Sequence, residues 1–165
     1  KTFSTRMGTH SGPRRSDVFF ESTVAKQIAL IEVGLQKPVI KVGNLSSTRT
    51  WEGGGGGGKA YHLLSVESEK GNIECGDFFN IAGEDVYQLT EVIDLLLSFS
   101  NRNDIKIESD VDRFRPIDAD YQMFSNDKIM SVINWRPEIP TKEMFKDLLD
   151  HWRNEINKGK IPLDR

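Results

Sequence analysis

Cysteine is almost missing from this chain. Cys75 stands alone among 165 residues, which excludes an intrachain disulfide and a cysteine-rich metal site. The three histidines, His10, His62 and His151, lie far apart, and nothing has metal-ligand spacing. No apolar run approaches the roughly 20 residues of a membrane span, and no secretory leader pattern opens the chain. A cytoplasmic protein without a membrane partner is therefore expected. Neither sign of charge dominates: 22 basic against 25 acidic residues give a net charge of −3, with no overall pull toward nucleic acid. Any anionic ligand has to be held by local basic residues. There is no G-x-S-x-G elbow, no internal repeat, and no basic neighbour that would activate Cys75.

What remains reads as an α/β chain long enough for one domain with a real core. Thr2 to Met7 is expected as a first strand, followed by the loop Gly8 to Arg15. Phe20, Val24, Ile28, Ile31 and Leu35 recur at helical spacing, predicting a helix from about Val18 to Gln36 that Lys37-Pro38 closes. Pro38 to Val42 predicts a strand leading into a polar loop, GNLSSTRTW. Further helices are expected over Ala60 to Ser68, Leu89 to Phe99 and Asp127 to Ile133, with strands at Asp77 to Ala82 and Ile105 to Glu108. A last helix is predicted from Thr141, its N-cap, with Phe145, Leu148, Leu149, Trp152 and Ile156 as its apolar stripe.

Gly53 to Gly58 are six consecutive glycines where a helix ought to begin. Each helical glycine costs about 1 kcal/mol relative to alanine. A natural linker, an engineered replacement, and positions whose side chains were never identified are the competing accounts. Trp51 before the run and Ala60-Tyr-His-Leu-Leu64 after it look like parts of one packed unit, which favours a replacement or artefact. Phosphate-cradling loops space their glycines and end in Lys-Ser/Thr or open a βαβ unit; this run does neither.

Three arginine-bearing segments are candidates for anion binding. His10, Arg14 and Arg15 follow the first strand, where ligands bind in open α/β sheets, and paired guanidinium donors suit a phosphate. Arginines pairing carboxylates such as Asp17 in a solvated loop account for the same residues. Arg49 follows Ser46, Ser47 and Thr48, whose hydroxyls can join it on a phosphate, although a lone loop arginine also serves structure. Arg113, Arg115 and Asp118 form the third cluster; alternation lets only one of the two arginines face a given ligand. Asp118 can accept from a sugar hydroxyl or neutralise an arginine. None of these residues is a catalytic group.

Four blocks, in order along nearly the whole chain, resemble the carboxyl-terminal half of the GDP-mannose 4,6-dehydratase family within the extended short-chain dehydrogenase/reductases. They are THSGPRR at Thr9 to Arg15 (N-H-x-[ST/G]-P-R-R), GNLSSTRTW at Gly43 to Trp51 (G-N-L-x-x-x-R-D-W), DFFNIAGE at Asp77 to Glu84 (a late Rossmann strand) and RFRPID at Arg113 to Asp118 (R-P-T-E). The resemblance implies the last strands of an NAD(P)-binding Rossmann fold plus the smaller substrate-binding α/β domain. It implies cofactor contacts from His10 and Arg15, and substrate contacts from Asn44, Arg49, Arg115 and Asp118. NADP is the implied cofactor, with NAD possible, and GDP-mannose the implied nucleotide sugar; the whole enzyme would be a homo-oligomer. Lys26 lies on a helix facing the same cleft, but the family's lysine falls on Thr23.

Departures accompany the match. Thr9 stands where the family has asparagine, and Thr50 where it often has aspartate. This variation also suits another nucleotide-sugar epimerase, dehydratase or reductase, or a non-enzymatic nucleotide-sugar binding module. Glu52 to Gly58 occupy the place of a seven-residue family segment, x-D-V-R-D-A-V, so the glycines fit a same-length replacement. None of Tyr61, Tyr87 and Tyr121 has a lysine four residues later, so the family's catalytic Tyr-x-x-x-Lys pair is not in this sequence. Residues 1–165 are accordingly expected to be a carboxyl-terminal fragment, inactive by itself.

Overall fold

Short β-branched and apolar runs pair as three patches of sheet in the computed structural model, which describes residues 2–114 and 119–159. β1 (Ser4–Met7) runs parallel to β5 (Phe78–Ile81). β2 (Thr9–Ser11) runs parallel to β4 (Thr48–Gly53); β4 also pairs antiparallel with β6 (Val86–Gln88) and parallel with β8 (Tyr121–Gln122). β3 (Val39–Val42) runs parallel to β7 (Lys106–Ser109). The helices are α1 (Phe20–Glu32), α2 (Gly54–Lys70), α3 (Leu89–Leu97), α4 (Asp127–Val132) and α5 (Thr141–Asn157). The expected α/β class holds.

Two apolar clusters hold these elements. The larger joins Val24, Ile28 and Ile31 of α1, Ile40 and Val42 of β3, the inner face of α3, and Phe145, Leu148, Leu149 and Trp152 of α5. Trp51 of β4 meets Phe145 edge to face, ring centroids 5.1 Å apart. Burying one such side chain stabilises by about 1.5–3 kcal/mol. The smaller cluster packs Ala60 and Leu64 of α2 against Phe79 and Ile81 of β5, with Ile129, Ile133 and Trp135. Where α1 and α5 end, Arg153 makes two hydrogen bonds to the Glu32 carboxylate, at 2.8 and 2.7 Å, and another to the Phe99 carbonyl. Burial is the largest influence on the Glu32 pKa and would raise it, but the Arg153 guanidinium, the Ser100 hydroxyl and the Asn101 N–H together outweigh it and hold the carboxyl below its usual range.

Several expected boundaries move. α1 stops at Glu32 because Gly34 takes a left-handed turn (φ 77°), so Leu35 is exposed rather than part of the stripe. The Gly8–Arg15 loop contains β2, and the polar GNLSSTRTW loop contains β4. Pairing with three partners overrides the turn-like composition of Ser46 to Thr50. The short strands β6 and β8 carried no detectable pattern. Thr141 is the first helical residue rather than the N-cap, which is Pro140. α2 begins at Gly54, so five of the six glycines are helical, and the Trp135 indole donates to the Gly56 carbonyl at 2.9 Å.

Glycines 83 and 58 mark opposite extremes of local space. A Cβ at Gly83 would overlap the Trp51 carbonyl oxygen, whereas one at Gly58 meets nothing within 4 Å. Gly83→Ala should lower unfolding free energy by about 3 kcal/mol through forced backbone displacement. Gly58→Ala should raise it by up to about 1 kcal/mol. Denaturant titration of both variants checks the pair, and a destabilising Gly58→Ala would refute the helical placement of the run.

Candidate functional site

A cleft of about 1090 Å³ opens beside the carboxyl end of β1 and the first residues of β2 and extends between α1 and β3 to Arg113. That size is at the upper end of small-molecule sites and leaves room for an extended ligand. His10, Arg15, Asn44 and Arg49, far apart in sequence, all line it. Arg115 and Asp118 lie outside the described residues.

The fold aims each of these side chains. Gly12 to Arg15 form a tight turn in which the Arg15 N–H donates to the Gly12 carbonyl at 3.1 Å, with Arg14 in a left-handed conformation (φ 72°). The turn sends Arg14 to solvent and Arg15 to the cleft, so the adjacent arginines do not act as a pair. Arg15 stacks on the Phe19 ring and sits 3.4 Å from the Glu21 carboxylate without a well-directed hydrogen bond. Its guanidinium donates to His10 Nε2 at 3.4 Å, which assigns the imidazole proton to Nδ1, facing the Gly8 carbonyl. A chain from Trp152 to Ser22 Oγ (2.9 Å) to the Arg15 carbonyl (2.7 Å) ties this turn to α5.

Arg49 comes from β4 rather than a loop. It donates to Gln122 Oε1 at 3.0 Å, and the same oxygen accepts from Thr9 at 3.2 Å, so β8 fixes the guanidinium against β2 and β4. Asn44 turns its carbonyl oxygen to the Ser46 N–H at 3.0 Å, shaping the bend after β3. Opposite it, the Arg113 backbone approaches Gly43 so closely that a Cβ there would overlap the Arg113 carbonyl oxygen. Arg113 itself lines the cleft, ion-paired to Asp110 at 3.3 Å.

Sequence reasoning missed several of the lining residues. Gln122 sits on a two-residue strand that no pattern marks. Lys26 is buried and pairs with Asp17 at 3.0 Å; its place on the cleft face of α1 was legible, its partner was not. Lys41 and Glu108 also line the cleft. Among the described residues no group of histidine, cysteine, aspartate and glutamate could hold a metal ion, and no helix is long and apolar enough to cross a membrane.

The chain shares its α/β fold with several solved structures. It superposes with a TM-score of 0.82 on the Pseudomonas aeruginosa protein RMD complexed with NADPH (24% identity, 93% of this chain and 48% of that one). It superposes at 0.74 on the UDP-glucose 4-epimerase from Bifidobacterium longum in complex with NAD+ and UDP (16% identity, 96% and 49%). The profile of the GDP-mannose 4,6 dehydratase family matches residues 1–148, and the chain belongs to that family. Among curated relatives, GDP-mannose 4,6 dehydratase 2 of Arabidopsis thaliana is 26% identical over 94% of this chain and 40% of its own length. GDP-6-deoxy-D-mannose reductase of Pseudomonas aeruginosa is 25% identical over 90% and 47%. The chain thus spans less than half the length of these relatives.

Beside the cleft, Glu52 is a buried acid of unusual placement. It precedes α2, is only 2% exposed, and lies against the Gly56 backbone, where a methyl group would overlap its Oε1; its Oε2 has no hydrogen-bond partner among the described residues. Burial, and then the nearby Glu84 carboxylate, push its pKa up to about 7 from an ordinary 4.5. The folded state therefore binds this proton more tightly than the unfolded chain. That contribution is complete below about pH 4.5 and is lost as pH rises through 7, costing roughly 3 kcal/mol. Unfolding measured at pH 5 and pH 8 should show this loss in the parent chain, and Glu52→Gln should remove it. Equal pH dependence in both proteins would overturn the assignment.

Proposed function

We propose that this chain is the nucleotide-sugar-binding portion of a GDP-mannose 4,6-dehydratase, the full enzyme converting GDP-mannose to GDP-4-keto-6-deoxymannose. The observation that carries the reading is the gathering of Arg15, Asn44, Arg49 and Arg113 from separate segments around one cleft in a chain of this family. Arg49, oriented by Gln122, suits the diphosphate, with Asn44 beside it. Arg115 and Asp118 are assigned to the same ligand by the resemblance of their segment. The match to both a dehydratase and a reductase makes a related nucleotide-sugar reaction the alternative outcome.

A nicotinamide cofactor fits the His10–Arg15 rim, because the buried Arg15 Nε lacks a hydrogen-bond partner among the described residues. When bound, the cofactor supplies hydride transfer. His10 and Arg15 would orient it from one side, and Arg15 would contribute positive charge; the remaining contacts belong to a part of the enzyme outside this sequence. The same holds for the Tyr-x-x-x-Lys pair, so the isolated chain binds but does not turn over.

Titration calorimetry with GDP-mannose, UDP-glucose and a dTDP-sugar tests the reading. The parent chain should prefer GDP-mannose, and Arg49→Ala should lose about 1.5–3 kcal/mol of binding free energy by removing a charge-assisted contact. Unchanged affinity in Arg49→Ala would refute the diphosphate assignment. Preference for a uridine or thymidine sugar would transfer the chain to another member of the superfamily, and product formation by the chain alone would refute the binding-only role.

A further inference from the structure

Lys41 and Glu108 form an acid–base pair that does not pair. They are register partners on β3 and β7 and both line the cleft. Opposite charges directly across a sheet ordinarily attract each other, yet neither side chain makes a hydrogen bond or ion pair with a described residue. Both are exposed. Their starting points are nevertheless fixed. The Gln27 side-chain amide donates to the Lys41 carbonyl at 3.0 Å and its oxygen accepts from the Lys41 N–H at 2.9 Å, so α1 occupies the edge of β3 that a further strand would take. Val39, one period earlier on the same face, adds an apolar wall to the same part of the cleft.

We infer that Glu108 and Lys41 read the Watson–Crick edge of the nucleobase and select guanine, an inference that rests on the nucleotide-sugar reading above. An ammonium only donates and a carboxylate only accepts. Side by side they require a base edge that offers one acceptor followed by donors. Guanine has that edge: O6 accepts from Lys41, and N1–H and the 2-amino group both donate to Glu108. Uracil matches the first two positions but turns its O2 lone pairs toward the carboxylate. Adenine reverses the order, with a donor at position 6 and an acceptor at N1. Position along the strand is suitable as well, because Lys41 precedes Gly43 and Asn44 by two and three residues, about 7–10 Å of strand. Lys106 shares the Glu108 face by strand alternation but does not line the cleft, so Lys41 is the basic residue directly across from Glu108.

Inosine diphosphate, which lacks only the 2-amino group, isolates the Glu108 contact. Calorimetric titration of the 165-residue chain should give about tenfold tighter binding of GDP than of inosine diphosphate, the size of one charge-assisted hydrogen bond, and a comparable preference over UDP. Glu108→Ala should bring the GDP-to-inosine-diphosphate ratio close to one, and Lys41→Ala should weaken both purine nucleotides together. Melting temperatures of the variants check that these exposed substitutions leave the fold intact. Equal binding of GDP and inosine diphosphate by the parent chain, or an undiminished ratio in Glu108→Ala, would overturn the inference while leaving the nucleotide-sugar reading standing. If no nucleoside diphosphate binds, the parent reading fails first and this one falls with it.

Discussion

The structure depends on β4 being paired on all available sides. Residues 48–53 hydrogen-bond with β2, β6 and β8, so one six-residue strand joins segments drawn from the beginning, middle and later part of the chain. Its alternation then divides labour. Arg49 and Trp51 share one face, the first reaching Gln122 at the cleft and the second packing on Phe145 of α5. A register slip of one residue would turn both away from their partners and place Thr50 and Glu52 there. Gly83 belongs to the same constraint, since its missing side chain lets the chain after β5 cross the Trp51 carbonyl.

The glycine segment gains meaning from its neighbours. α2 starts inside the run, and its first turn is held from outside by the Trp135 indole rather than by helix propensity. Positions 54, 55 and 58 accept a Cβ at ordinary distances or in open space. Positions 56 and 57 require only that the tips of Glu52 and Met7 move. The backbone at 54–58 thus leaves room for side chains at the helix start. The orphaned Glu52 carboxyl lies over the bare Gly56. Its neutral form is favoured because burial, and then the Glu84 carboxylate, disfavour its charge.

The cleft is assembled from pieces that are individually ordinary. Arg15 carries a carboxylate neighbour, Arg113 an ion pair, and Asn44 a local turn bond. Each could be read as structural when taken alone. They nevertheless converge on one cleft, with Gly43 admitting the Arg113 backbone, rather than lying scattered over the surface. The cleft face of α1 shows the same logic. Glu21, Ser22, Lys26 and Gln27 are buried polar residues, held there by contacts to the Arg15 turn, to Asp17 and to the edge of β3.

The sequence by itself determined the α/β class and the long amphipathic helices α1, α3 and α5, and it singled out the arginine blocks. Apolar period and the residues around Gly8 to Arg15 and Gly43 to Trp51 are local signals, legible without a partner. Its reading of Gly43 to Trp51 as a loop failed because serine, threonine and asparagine favour turns until neighbouring strands satisfy the backbone. Only the tertiary structure decided that β2, β6 and β8 exist. It alone separated the directions of Arg14 and Arg15, recruited Gln122 to Arg49, and buried Glu52 beside the start of α2. Those outcomes depend on pairing and packing between residues tens of positions apart, where side-chain chemistry is set by what surrounds it rather than by what precedes it.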